Sequence, residues 1–316
     1  MKILIIGAGV QGTVFAVRLA NAGHLVSLVS RPDRARELSQ QGATIQDAET
    51  MEIRTRMLPV LDRLPADYAT DLCLVTVRRE QIESVLADLV QAPAIPQFVF
   101  LGNYANVTGK LLTTLGRSRT VFAFPGIAGY RDGSVIRYSD IPQQHTAVEH
   151  HAKDVIACFR QAGFRVDRVP DMNAWLMRHT VFITAMAGAL YENGCDAGRL
   201  ARDRDTVHCF IRAVREGWAA LDDRAVVAAP IGLRTILCWV PLPLSAMYWS
   251  RLLTSRGDLY FARHTRHAPA EMASLAEDVR TFLGERQAPA LHRLLLAIDA
   301  WVWGICGGVV SPYASP

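Results

Sequence analysis

Three glycines near the start of the chain have the spacing that phosphate chemistry requires. Gly7-Ala8-Gly9-Val10-Gln11-Gly12 follows an apolar run over residues 3–6 and opens a helical pattern over residues 13–22. In such a turn the first glycine permits a tight strand-to-helix reversal and the second lets backbone approach a pyrophosphate. The third lets helix and strand pack closely. The helix start adds unpaired amides and the positive end of its dipole. The bland alternative is a structural glycine corner. The β-rich run before the turn and the helix after it favour a dinucleotide, so all six residues are candidate cofactor contacts.

A second strand over residues 25–29 ends in Ser30-Arg31-Pro32-Asp33. An acidic residue at this point would hold a ribose 2′-hydroxyl, whereas a small residue followed by arginine accepts a 2′-phosphate, so the pattern favours NADP (NADPH) over NAD. The competing reading of Arg31 is a solvated residue ahead of the helix that Pro32 begins. Arg78, Gln81 and Asn103 each lie just past a further predicted strand end and are candidate cofactor contacts, with turn-forming asparagine and solvated arginine as their default alternatives.

Around these residues the pattern alternates. A helix is expected over residues 34–41, strands near 43–45 and 52–57, a buried strand over 71–77 with a helix to residue 89, and a strand over 97–101 with a helix through 115. This βαβ order implies an α/β fold: a Rossmann-type dinucleotide-binding domain with a mostly parallel sheet, ligand at the carboxyl ends of its strands. Residues 121–138, VFAFPGIAGYRDGSVIRY, read as a hairpin added antiparallel to that sheet, followed by a helix over 147–162 and a strand over 164–169.

Beyond Pro170-Asp171 the composition shifts. All six tryptophans lie there, and long helices replace strand signals. The expected division is a dinucleotide-binding domain, residues 1–170, and an all-helical substrate or dimerisation domain, residues 171–316. The apolar stretch 226–253 is interrupted by Pro230, Arg234, Pro241 and Pro243, short of the ~20 residues that span a bilayer. It reads as buried core or a dimer surface, with a membrane contact through Trp239, Tyr248 and Trp249 as the minor alternative. His264, His267 and Glu271 have a ligand-like spacing, but Pro269 between them starts a new helix, so no metal is assigned.

With 316 residues, half of them hydrophobic, a fifth charged and a net charge of +4, the chain has an ordinary folded composition. No basic run interleaved with aromatics argues for nucleic acid. The first residues lack a charged segment, a hydrophobic core and a cleavage site of the secretory kind, which predicts a cytoplasmic protein. The six cysteines, Cys73, Cys158, Cys195, Cys209, Cys238 and Cys306, lack CxxC spacing and read as reduced thiols.

The GAGVQG turn, the VRREQ segment, the LGN turn and a helical second half introduced by an aspartate and a tryptophan together resemble the ketopantoate reductase family over nearly the whole length. FPGIAGYRDGSVIRY and APALHRLL are also similar to divergent members. The resemblance implies that Gly7, Gly9 and Gly12 form the pyrophosphate loop and that Arg31 meets a 2′-phosphate. It puts Arg78 where a lysine is usual near the cofactor, Gln81 on a glutamine, and Asn103 on the asparagine beside the nicotinamide ribose, with Tyr104 replacing a glycine. The catalytic lysine, two residues after the tryptophan, falls on Met177, and the two substrate-side asparagines fall on Val181 and Ala185. Ser274 matches a substrate serine. The family glutamate falls on Arg286, one position beyond Glu285.

A thioether can neither protonate nor electrostatically stabilise a developing alkoxide. Arg178 points about 100° away from the lysine position and is a poor acid. His179 could act near neutral pH, against the alternative of an ordinary helix histidine. No catalytic residue is therefore assigned. The expected function is an NADP-dependent oxidoreductase transferring hydride with a carbonyl or hydroxy compound other than ketopantoate, bound between the two domains; apolar side chains at 177, 181 and 185 imply an apolar or bulkier substrate. The alternative is a non-catalytic NADP-binding sensor or scaffold. A hydroxy-acid dehydrogenase of another kind shares the plan, and a homodimer remains open.

Overall fold

The computed structural model describes residues 1–222 and 231–305. They divide into two compact units, Met1–Leu176 and Met177–Pro316, so the division falls inside a helix beyond Pro170.

The first unit runs β1 (Lys2–Ile6), α1 (Val10–Asn21), β2 (Leu25–Val29), α2 (Pro32–Gln41), β3 (Ala43–Asp47), β4 (Ile53–Arg56), β5 (Val60–Leu61), β6 (Leu72–Val75), α3 (Ile82–Val90), β7 (Phe98–Leu101), α4 (Thr108–Leu115) and β8 (Thr120–Phe124). It continues with β9 (Ile127–Asp132), β10 (Val135–Asp140), β11 (Thr146–Glu149), α5 (Lys153–Gln161) and β12 (Val166–Val169), and then enters α6 (Met172–Glu192). The eight-stranded sheet has the order β12-β11-β8-β7-β6-β1-β2-β5. Its central strands β6 and β7, LCLV and FVFL, are buried at every position, as expected of parallel strands covered on both faces. β1 lies between β2 and β6, parallel to both. The chain thus leaves β1 toward one side and returns to β6 on the other, which makes the carboxyl ends of β1 and β6 the switch point where ligands bind in such sheets.

The hairpin departs from expectation. β9 and β10 do not extend the main sheet; they form a second sheet of order β4-β3-β10-β9, in which β10 runs parallel to β3. Ile136 and Tyr138 of β10 are buried with Ala43 and Ile45 of β3 in one core with α1. That placement explains why α1 is buried from Gly12 to Leu19 with little amphipathic character: sheets cover it from two sides. Arg18, 7% exposed, fastens α1 to this layer through Asp140 at 2.9 Å and the carbonyls of Ala162 and Gly163. The helix expected over 147–162 is also corrected. Thr146–Glu149 is a strand, antiparallel to β8, and α5 starts only at Lys153.

The second unit contains the rest of α6, α7 (Ala197–Arg202), α8 (Arg204–Asp222), α9 (Ile231–Arg234), α10 (Leu242–Gly257), α11 (Arg263–His267), α12 (Pro269–Leu283) and α13 (Pro289–Ile305). Pro241 and Pro269 set the starts of α10 and α12. Gly217 of α8 lies so close to α6 that an added Cβ would stand 2.5 Å from Val181 Cγ1. A second core of aromatic rings, Phe182, Phe210, Trp249 and Phe261, fills this unit. Trp249 is buried, which removes it from any surface role, whereas Trp239 is 65% exposed. Among the described residues no helix is long and apolar enough to cross a membrane. Pro230 and Cys306 lie outside the described residues. Cys73, Cys158, Cys195 and Cys209 are buried free thiols, and burial pushes Cys158 up to about 11.

Candidate functional site

The glycine turn sits at the switch point. Gly7 has φ +106°, a left-handed conformation, and its amide donates to the Val29 carbonyl at 3.0 Å. A Cβ on Gly12 would stand 1.8 Å from the Gly7 carbonyl oxygen, so only glycine lets α1 approach β1 this closely. A Cβ on Gly9 would meet nothing within 4 Å. Gly7 thus makes the reversal, Gly12 the close approach, and Gly9 is exposed backbone facing open space. α1 begins at Val10 with no side-chain cap and no acidic residue in its first turn, so its amides and dipole remain available to an anion. An open space bordered by amides that donate to no protein group among the described residues fits a pyrophosphate.

Around this turn stand residues the sequence marked and residues it did not. Arg31 is the exposed N-cap of α2, directly beyond β2 and Ser30. Asp33 is not at the strand end but on α2, paired with Arg36 at 3.0 Å. Arg78 and Gln81 bracket a single 3₁₀ turn after β6, where the Arg78 amide donates to Gln81 Oε1 at 3.3 Å and Arg78 lies 3.9 Å from Glu80. Gln81 thus caps its own turn. Asn103, half-buried, follows β7. Tyr104 is fully buried and its hydroxyl donates to the Val77 carbonyl, tying the loop after β7 to the loop after β6. Gln11 and Val10 are half-buried in the first turn of α1.

Sequence reasoning missed Thr76 and Arg34. The Thr76 hydroxyl lies 2.7 Å from the Gly7 carbonyl and 3.1 Å from that of Ile6; its one proton serves the shorter contact, because Ile6 already accepts the Thr76 amide. A hydroxyl closing the apolar run DLCLV was the available signal. Arg34, only 10% exposed, lies 3.4 Å from the Ala8 carbonyl through Nε and 2.8 Å from Glu37. One turn into a charged helix it carries no mark that separates it from a solvated arginine.

The second unit holds a different arrangement. Met177, Val181 and Ala185 are buried on α6, and Val181 lies against Gly217 of α8. Val181 thus takes part in the packing of α6 against α8. His179 keeps partial exposure, yet desolvation, aided by the charge of His264, lowers its pKa to about 3. At neutral pH it is uncharged and cannot act as an imidazolium acid. His264 meets Glu271 at 3.5 Å across the Pro269 break. Among the described residues no group of three or more His, Cys, Asp or Glu could hold a metal. α12 carries Ser274 and, one turn on, Asp278, a carboxylate only 3% exposed that sequence reasoning overlooked. An open groove of about 560 Å³ between the start of α7 and the end of α10 mixes Asp196 and Asp258 with Arg256 and Arg266 and includes none of the predicted site residues.

A profile of the family described as ketopantoate reductase PanE/ApbA matches residues 3–166 of the 316. The chain belongs to this family. No curated protein matches it. Among solved structures it is similar to the PanE/ApbA family ketopantoate reductase from Ralstonia eutropha JMP134, with 19% identity, TM-score 0.72, and 95% of this chain and 98% of that one covered. It is also similar to 2-dehydropantoate 2-reductase from Methylococcus capsulatus, with 14% identity, TM-score 0.66, and all of both chains covered. A D-mandelate dehydrogenase solved with NADH and anilino(oxo)acetate has 12% identity and TM-score 0.75, with 97% of this chain and 99% of that one covered. These likenesses establish a shared fold: a Rossmann-type domain followed by helices, in agreement with the α/β expectation.

Proposed function

We propose that the protein is an NADP-dependent oxidoreductase that transfers hydride with a small carbonyl or hydroxy compound other than ketopantoate. The observation that carries this reading is the glycine turn, with Gly9 facing open space at the switch point and Arg31 exposed beyond β2 where a 2′-hydroxyl-binding acid would otherwise sit. The D-mandelate dehydrogenase was solved with NADH, a nicotinamide nucleotide without the 2′-phosphate, so the choice of NADP rests on Ser30 and Arg31 alone.

Bound in this turn, the nucleotide would supply or accept the hydride. The chain's part is to hold and orient it: the Ala8, Gly9 and Val10 backbone against the pyrophosphate, with Gln11 and Gly12 completing the first turn of α1, and Arg31 on the 2′-phosphate. Arg78, Gln81 and Asn103, at the ends of β6 and β7, lie within the same strand-end layer. The substrate differs from ketopantoate because Met177, Val181 and Ala185 offer no donor where the family places a lysine and two asparagines. The same buried apolar positions favour a second reading, a non-catalytic NADP-binding sensor.

Titration of the purified protein with NADPH and NADH by nicotinamide fluorescence, repeated with Arg31→Ala, tests the cofactor. Tighter NADPH binding that weakens selectively in the variant is expected; binding of neither nucleotide ends the enzyme reading. NADPH oxidation across a panel of carbonyl compounds then separates enzyme from sensor: turnover supports the first, and tight binding without turnover the second.

A further inference from the structure

Two carbonyl groups of the glycine turn are held by side chains from outside it or from the helix it opens. The Gly7 carbonyl accepts from the Thr76 hydroxyl at 2.7 Å. The Ala8 carbonyl accepts from the Thr13 hydroxyl at 3.3 Å and from Arg34 Nε at 3.4 Å. In a trans peptide the C=O and the following N–H point in opposite directions. Fixing these two carbonyls inward therefore turns the Ala8 and Gly9 amides outward, and neither donates to a protein group among the described residues. Two successive outward amides ahead of a helix make an anion-binding concavity.

Arg34 is the group whose presence packing does not explain. Its side chain is nine-tenths buried, and Nη2 is covered without a hydrogen-bond partner among the described residues, a desolvation cost that an apolar residue at the same place would not carry. Its other nitrogens are fixed: Nε reaches Ala8, and Nη1 reaches Glu37 at 2.8 Å. Glu37 in turn binds Arg131 of β9 at 2.6 Å, so the second sheet braces the guanidinium. Burial would raise the Glu37 pKa, but hydrogen bonds from Arg34 and Arg131 hold it below the ordinary carboxylate value, and the bracing charge persists at neutral pH. Because protein covers Nη2, the guanidinium is not presented to a ligand.

We propose that Arg34 is a positioning residue for pyrophosphate binding: it pins the Ala8 carbonyl inward so that the Gly9 amide faces the phosphate, and it does not read the 2′-phosphate. The inference rests on the dinucleotide-binding reading of the turn. It separates two arginines only three positions apart, Arg31 on the group that distinguishes NADPH from NADH and Arg34 behind the group the two share.

The experiment is titration of Arg34→Met and Arg34→Lys with NADPH, NADH and adenosine 2′-monophosphate, which carries the 2′-phosphate without a pyrophosphate, beside Arg31→Ala. Arg34→Met is expected to weaken NADPH and NADH by the same factor, about tenfold for one hydrogen bond to a carbonyl, and to leave adenosine 2′-monophosphate unchanged. Arg34→Lys recovers part of the loss, since an ammonium still donates to Ala8. Selective loss of NADPH and adenosine 2′-monophosphate would overturn the proposal by placing Arg34 on the 2′-phosphate. Unchanged affinities, or a loss of all three ligands with a lowered melting temperature that lysine does not repair, would overturn it as well. Binding of neither dinucleotide by the unaltered protein is a separate failure, that of the cofactor reading on which the proposal stands.

Discussion

The turn after β1 and the middle of α6 differ in what would carry their chemistry. At the turn, the features that suit an anion belong to backbone: glycines that admit conformations and approaches no side chain allows, amides without partners among the described residues, and carbonyls tied back by Thr76, Thr13 and Arg34. Along α6, chemistry would have to be written in side chains, and Met177, Val181 and Ala185 are instead buried and apolar. Backbone geometry constrains few residue identities, and the fold is shared with solved neighbours at 12–19% identity. A proton donor depends on one functional group at one place, and a single replacement removes it.

The sharpest way to break the comparison is inside the turn itself. Gly12→Ala sets a methyl 1.8 Å from the Gly7 carbonyl, and backbone cannot yield without undoing the turn. It is expected to lower stability by about 3 kcal/mol and to reduce NADPH affinity about 100-fold or more. Gly9→Ala has room for its methyl and should leave the melting temperature unchanged while abolishing most nucleotide binding, because the methyl enters the space a phosphate would take. Thermal denaturation with and without NADPH checks both. Equal effects of the two substitutions on stability would mean that the glycines share one structural role.

A smaller effect is expected on the other side of the comparison. Gly217→Ala puts a methyl 2.5 Å from Val181 and 2.8 Å from Leu291, side chains that can shift. A loss of about 1–3 kcal/mol is expected in chemical denaturation, with NADPH affinity unaltered. The companion change Val181→Ala makes room and should restore much of the loss in the double variant. No restoration would mean that Val181 is not the obstacle and is available for another task.

What could be read from the chain beforehand follows the range of the signals. The turn and the strands β1, β2, β6 and β7 were legible because each is a local pattern with a stiff physical cause, an apolar run ended by glycine or a polar residue. The second sheet was not, because β3 and β10 pair across about ninety residues of chain and nothing in either strand names its partner. Ile136 and Tyr138 looked equally suited to the main sheet. The short strand Thr146–Glu149 was hidden by helix-compatible neighbours, and only its ladder with β8 and β12 defines it. Thr76 was missed although its place at the end of an apolar run was a usable signal, whereas Arg34 acquires its role from Ala8, Glu37 and Arg131, three places that only the fold assembles.

His179 supplies the subtlest test, since its behaviour depends on surroundings that its helix does not reveal. Desolvation and the nearby His264 lower its pKa from 6.5 to about 3, so the folded protein keeps it neutral where the unfolded chain protonates it. Between those two values the unfolded state binds more protons, and stability must fall as pH drops below 6.5 toward 3; above 6.5 the group contributes no slope. With allowance for its partial exposure the contribution at pH 5 is about 1 kcal/mol. His179→Gln should flatten that part of the pH–stability curve measured by urea denaturation at pH 7 and pH 5. An undiminished slope in His179→Gln would assign the acid sensitivity to another group and would return His179 to the histidines able to carry a proton at neutral pH, reopening it as the acid that α6 otherwise lacks.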